Sequence, residues 1–260
     1  MTILVSGGDS FTFGNELADC DGISPSMETW SAVLSKEFKM EYCCTAWGGY
    51  SNASITRSVM NACEKFKEND LAVAVMWSFP NRYEFRFNYD TKQRHSPWYT
   101  ITPWTTETND SVILSAFHNG DKEVFKTHKE HIDNARKTGV AEFTETFIKH
   151  VGGTEYWEIY TTYKEILFLQ NWLEDRDISY LFTYVDGIVF NNDTLTNPDS
   201  TMRTLQSSIN WDSWYRFEED LGFYPWAKQN KFPFATTHPL DPAHKEFALK
   251  IMPFAEHRLK

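Results

Sequence analysis

Apolar positions along the first third of the chain alternate between two periods. Ile3, Leu4 and Val5 form a short apolar run closed at once by Gly7 and Gly8, which reads as a β-strand. In ETWSAVLSKEF (28–38), Trp30, Val33, Leu34 and Phe38 recur with helical spacing, and Ser26 is placed to cap that helix. A second short strand is expected around Met40 to Thr45, and Ile55, Val59, Cys63 and Phe66 mark a helix between Ala53 and Lys67. DLAVAVMWSF (70–79) is continuously apolar, as a strand covered on both faces must be. The order β-α-β-α-β predicts a parallel sheet with helices on both sides, a three-layer α/β/α sandwich of flavodoxin-like type.

The pattern then breaks. Residues 80–153 are polar, aromatic and charged, with helical patches near 121–137 and 141–150 and no sheet strand, and read as an insertion on the active side. A long helix follows from Glu155 to about Asp175, with Ile159, Ile166, Leu169 and Leu173 inward, then a buried strand at ISYLFTYV (178–185). A second irregular insertion covers 187–237. The closing helix starts with Asp241 as its cap and Pro242 in its first turn, and buries Phe247, Ile251 and Phe254. One domain with two insertions accounts for residues 1–260.

Composition narrows the partners. The net charge is −11 with no basic run, which excludes nucleic acid and anionic lipid. No apolar segment approaches a membrane span, and no basic-then-apolar leader opens the chain, so a cytoplasmic protein is expected. Cys20, Cys43, Cys44 and Cys63 lack metal-site spacing and are read as reduced and structural. His128 and His131 share a helical face without an HExxH pattern, so a solvated face is preferred to a metal site. Aromatic residues reach 16%, many in SPWYTITPW (96–104) and NWDSWYRF (210–217). They are read first as packing the insertions onto the body, with a sugar- or acyl-binding surface as the alternative.

Candidate chemistry lies at the strand ends: GGDSFTFG after the first, WGGYSN after the second, MWSFPNR after the third, and TTHPLDPAH before the last helix. Ligands bind at such ends in open α/β sheets. Ser10 supplies a hydroxyl, which becomes a nucleophile only when an imidazole takes its proton. Glycine amides such as that of Gly49 can face the oxyanion of a tetrahedral intermediate without obstruction. Asp9 is expected at least to satisfy backbone amides in its turn.

These blocks resemble the SGNH (GDSL-type) hydrolase superfamily, and within it small phage- and bacterium-encoded members. Gly8 to Gly14 matches G-x-S-F-T-x-G with Ser10 as nucleophile. Gly49-Tyr50-Ser51-Asn52 resembles the second block, which implies oxyanion amides from Gly49 and Ser10. His238-Pro239, with His244 and Ala248 at the family's spacing, makes His238 the implied base, while an Asp241/His244 pair is the alternative assignment. Two departures stand out. The orienting Asp expected three residues before the base is Ala235, leaving a backbone carbonyl to hold the ring. The third block places Ser78 where an oxyanion Asn is expected, with Asn52 or Asn81 as substitutes.

Arg82 and Glu84 are read either as gating or flooring the pocket or as a surface ion pair. The resemblance implies a serine esterase acting on an O-acetyl or other short acyl group of a carbohydrate or small-molecule ester, without metal or organic cofactor. A decayed glycan-binding or virion-associated module is the competing expectation, acyl transfer a weaker one, and homo-oligomerisation is left open.

Overall fold

A computed structural model of the chain describes residues 1–87, 98–103, 105 and 133–260. Contacts divide it into two compact units, one of Met1–Pro80 with Ile159–Lys260 and one of Asn81–Glu158.

The first unit is built on strands β1 (Ile3–Gly7), β2 (Glu41–Cys44), β3 (Leu71–Trp77) and, later in the chain, Ser179–Tyr184. They pair in parallel in the order β2-β1-β3 followed by the Ser179–Tyr184 strand, with Val5 opposite both Cys43 and Val73. This is a doubly wound order. The helices are α1 (Ser10–Phe13), α2 (Trp30–Glu37) and α3 (Asn52–Lys65). Because parallel crossovers are right-handed, the step from β1 to β2 and the reverse step from β2 to β3 place α2 and α3 on opposite faces. Contacts agree: a Cβ at Gly7 would strike Val59 of α3, whereas Trp30 of α2 packs on Phe247 of the closing helix. Strand β3 is buried from Ala72 to Trp77, as its unbroken apolar run requires.

The insertion at 187–237 is bound to this core by its aromatics. Trp211, Trp214 and Phe217 pack among Phe182, Tyr184, Phe190 and Phe247, so the packing reading of NWDSWYRF holds. All four cysteines are free, and burial pushes the Cys63 thiol up to about 12 and the Cys44 thiol to about 11.

The second unit corrects one expectation. Residues 80–153 do contain strands: β4 (Tyr83–Arg86) and β5 (Trp98–Ile101) pair antiparallel, with Glu84 opposite Thr100. Four residues each are too few for alternation to register as a period. Helix α4 (Val140–Phe147) contributes Val140 and Ala141 to a small core with Tyr83 and Ile101. The helical patch near 121–137 lies outside the described residues except for 133–137, as do His128 and His131.

The remaining elements are α5 (Glu155–Glu174), β6 (Ser179–Tyr184), the short α6 (Asp193–Thr196), α7 (Ser200–Ser208), α8 (Phe223–Gln229) and α9 (Asp241–Leu259). Asn52 and Thr56 of α3 hydrogen-bond Thr162 and the Glu165 carbonyl of α5, which places these two helices together. Two caps differ from expectation. Thr29, not Ser26, caps α2 by accepting from the Ala32 amide, because Asp19 and the Glu28 amide already engage the Ser26 hydroxyl. Asp241 is the first helical residue of α9, preceded by Leu240 with no side-chain cap. Its charge still suits the positive end of the helix. Among the described residues no helix is long and apolar enough to cross a membrane.

Candidate functional site

The site begins where β1 stops. Asp9 caps α1, its Oδ1 accepting from the Phe11 amide at 3.0 Å, and this one-turn helix carries Ser10 as its first residue. Gly14 ends the turn in left-handed backbone (φ 84°), and a Cβ there would stand 2.5 Å from Cβ of Ser26. Only glycine meets both conditions. The amides of Gly14 and Asn15 both close on the Ser10 carbonyl, which winds the chain tightly behind the hydroxyl.

Phe11 anchors the turn. Its buried ring lies against Phe79, Phe223 and Tyr224, and its centroid is 4.8 Å from that of the His238 imidazole. That imidazole arrives from the segment before α9. Its Nε2 is 2.8 Å from Ser10 Oγ, across 228 residues of chain. Ser10 and His238 therefore stand within hydrogen-bond distance of each other.

The other face of the ring overturns an expectation. No backbone carbonyl holds Nδ1: the Glu16 carboxylate does, with Oε2 2.7 Å away. Glu16 lies two residues past Gly14 in left-handed backbone (φ 68°). Its carboxylate also accepts from the amides of Thr236, Thr237 and His238, each at 3.1 Å, and from the Thr237 hydroxyl at 3.3 Å. Ala235, where the acid was expected, instead donates its amide to the His238 carbonyl. In the sequence, Glu16 is one loop acid among 36 Asp and Glu residues, and no spacing rule ties it to position 238. Its nearness to the Ser10 block was the sole available signal.

Partial burial pushes the Glu16 carboxyl up, but the hydrogen bonds from His238 and Thr237, the charge of the ring and the Thr236 bond outweigh it. The net value falls to about 2, from an ordinary 4.5. A carboxyl whose folded value is lower than its unfolded one stabilises the fold fully above the unfolded value and loses that contribution as pH falls through the folded one. The Glu16 contribution is therefore present above pH 4.5 and lost between 4.5 and about 2. Thermal unfolding followed down the acid limb should show a shallower slope for Glu16→Gln than for the natural chain. Equal slopes would contradict the assignment.

His244, the alternative base, is placed differently. It is buried at 1% exposure, its Nδ1 accepts from the Trp30 amide at 3.4 Å, and its ring packs on Phe223. Burial first, then the neighbouring His238 charge, lowers it to about 3 against a weaker opposing bond to Pro239. A ring held neutral inside the core packs α9 onto α2.

The expected oxyanion donors separate into two groups. Gly49 takes left-handed backbone (φ 80°), and nothing stands within 4 Å of where a Cβ would be. Strands β1 and β2 are adjacent, and the Thr45 amide bonds the Ser6 carbonyl at 2.8 Å, which brings the Gly49 turn and the Ser10 turn out at one edge. The amide of Ser10, at the first position of α1, belongs to the set a helix leaves unpaired.

Ser78 and Asn52, by contrast, are engaged with each other. Asn52 Oδ1 accepts from the Ser78 amide at 2.8 Å, and its Nδ2 donates to the Ser78 carbonyl and to Thr162 Oγ1. The Ser78 hydroxyl donates to Asp9 Oδ2 at 2.6 Å. Both side chains brace the Ser10 turn and have their hydrogen-bonding groups occupied, which corrects their assignment as donors. Asn81, Arg82 and Glu84 belong to the second unit, where Glu84 sits in β4. Among the described residues no group of three or more His, Cys, Asp or Glu is arranged to hold a metal ion.

No protein-family model matches the chain, and no curated protein does. Solved structures similar to it include the psychrotrophic esterase EstA from Pseudoalteromonas sp., at 9% identity and TM-score 0.49 over 98% of this chain and 97% of that one. The acetyl xylan esterase AlAXEase is 12% identical with TM-score 0.42 over 97% and 98%. The acetyl xylan esterase Est2A from the rumen bacterium Butyrivibrio proteoclasticus is 12% identical with TM-score 0.46, covering 98% of this chain and 63% of that one. Identities and scores of this size leave the functional reading to the side chains themselves.

Proposed function

We propose that this chain is a serine hydrolase of carboxylic esters, with an O-acetyl or short acyl group on a carbohydrate as its substrate. The observation that carries the reading is the 2.8 Å contact between Ser10 Oγ and His238 Nε2 at the carboxyl edge of a parallel sheet. A hydroxyl bonded to an imidazole nitrogen is the arrangement that nucleophilic acyl transfer requires. Ser10 Oγ attacks the acyl carbon while its proton passes to Nε2. The tetrahedral oxyanion is held by the amides of Ser10 and Gly49. The carbon–oxygen bond to the alcohol then breaks as Nε2 returns the proton to the leaving oxygen. Water, deprotonated by Nε2, attacks the acyl-enzyme, and Ser10 leaves with the proton restored.

For the alcohol side of the substrate, Trp47 supports a sugar. Its indole is 46% exposed, braced edge-on against buried Phe13 at 4.9 Å, and stands two residues before Gly49. Such a flat apolar face suits the C–H face of a pyranose. The acid absent at Ala235 is matched by a carboxylate at His238 Nδ1, which supports an active site over a decayed module.

A fluorophosphonate probe should label Ser10 in the folded protein, located by peptide mass spectrometry, and acetate should be released from acetylated oligosaccharide. Absence of labelling under conditions where a control esterase reacts would overturn the proposal.

A further inference from the structure

We infer that Glu16 is the positioning acid of this site, orienting His238 from the same loop that carries the nucleophile. The inference rests on the hydrolase reading above. A carboxylate has no proton to give, so a ring nitrogen bonded to it must be the donor. With Oε2 2.7 Å from Nδ1, the neutral imidazole keeps its proton on Nδ1 and turns the Nε2 lone pair to Ser10 Oγ, 2.8 Å away. When Ser10 gives up its proton the ring becomes cationic, and the adjacent negative charge stabilises it.

The carboxylate is itself held. Amides of Thr236, Thr237 and His238 converge on its two oxygens, and the ring contact is the shortest of the set. These donors fix its direction before any substrate arrives. They also join the segment that carries His238 to the turn that carries Ser10. Local bonds set the other half of the geometry: Gly14 and Asn15 close on the Ser10 carbonyl and Leu17 on that of Gly14, so acid and nucleophile sit six residues apart on one tight turn.

Other carboxylates are placed otherwise. Both oxygens of Asp9 are engaged, by the Phe11 amide and the Ser78 hydroxyl, and Asp241 stands in the first turn of α9. Glu16 thus takes the place of the acid missing at Ala235.

The test compares the natural chain with Glu16→Gln on p-nitrophenyl acetate, alongside nitrogen-15 spectra of the histidine rings. Glu16→Gln should lower kcat by about 100- to 10,000-fold with KM little changed, since the lost interaction forms with the imidazolium. The spectra, taken without substrate, should place the His238 proton on Nδ1 in the natural chain and show that preference lost in the variant. A loop anchor alone would leave the remaining fraction of folded enzyme with its full kcat and would not move the tautomer. If the natural chain turns over and Glu16→Gln keeps kcat within about threefold, the inference is overturned while the hydrolase reading stands. If the natural chain shows neither turnover nor labelling, the hydrolase reading fails, and the tautomer still decides whether Glu16 orients the ring: a proton found on Nε2 overturns that as well.

Discussion

Replacing His238 with Ala should lower kcat/KM on an acetyl ester by about 10,000- to 1,000,000-fold, the scale seen when a serine nucleophile loses its base. Without the imidazole, Ser10 keeps its hydroxyl but has no acceptor for the proton at Nε2 distance. The fold should survive, because the side chain is at the rim, 15% exposed, and Phe11 keeps its packing against Phe79, Phe223 and Tyr224. Steady-state kinetics with circular dichroism as the folding control decides it. The same variant separates the two candidate imidazoles. An Asp241/His244 pair would leave His238→Ala active, within roughly the tenfold range of a peripheral substitution, and that result would remove His238 from the mechanism.

Asn52→Ala is expected to act on stability, lowering it by about 2–5 kcal/mol. Asn52 is 3% exposed, and its amide satisfies both the N–H and the carbonyl of Ser78 while donating to Thr162. Removing it takes away three buried hydrogen bonds, each contributing about 0.5–1.5 kcal/mol, and leaves a small void. Chemical denaturation measures this directly. An oxyanion donor would behave in the opposite way, with kcat falling about 100- to 1000-fold at unchanged stability. Observing that pattern would return Asn52 to the oxyanion hole and would require its amide to turn away from Ser78.

The two substitutions mark a division within the site. Ser10 and His238 bond each other at the sheet edge, whereas Asp9, Ser78 and Asn52 form a buried brace under the turn that presents Ser10. The brace explains an otherwise odd third block. Where the resemblance expects an Asn side chain facing the oxyanion, Ser78 is shorter and points its hydroxyl to Asp9, fixing the residue that caps α1. In the reaction we propose, the oxyanion is left to the backbone amides of Ser10 and Gly49.

Much of this was readable in one dimension. The apolar runs of β1, β3 and β6 and the helical spacing in α2, α3 and α5 follow from burial, which acts on neighbouring residues at a fixed period. The alternation of strands and helices then implies a parallel sheet, and the glycine-bounded turn after β1 implies a reactive edge. Strands β4 and β5 escaped because four residues cannot display a period. The caps at Ser26 and Asp241 were misread because several polar residues stand near each helix start, and tertiary partners decide which of them turns inward.

By itself, the sequence determined the layered architecture and the candidacy of Ser10, Gly49 and His238, since each follows from a local rule of period, turn or motif. Only the tertiary structure decided that Glu16 faces His238, that Ser78 and Asn52 face each other, and that His244 is sealed in packing. The physical reason is range. A contact across 222 residues depends on where two loops end once the sheet has formed, and a charge in a loop carries no periodic trace of the partner it will meet.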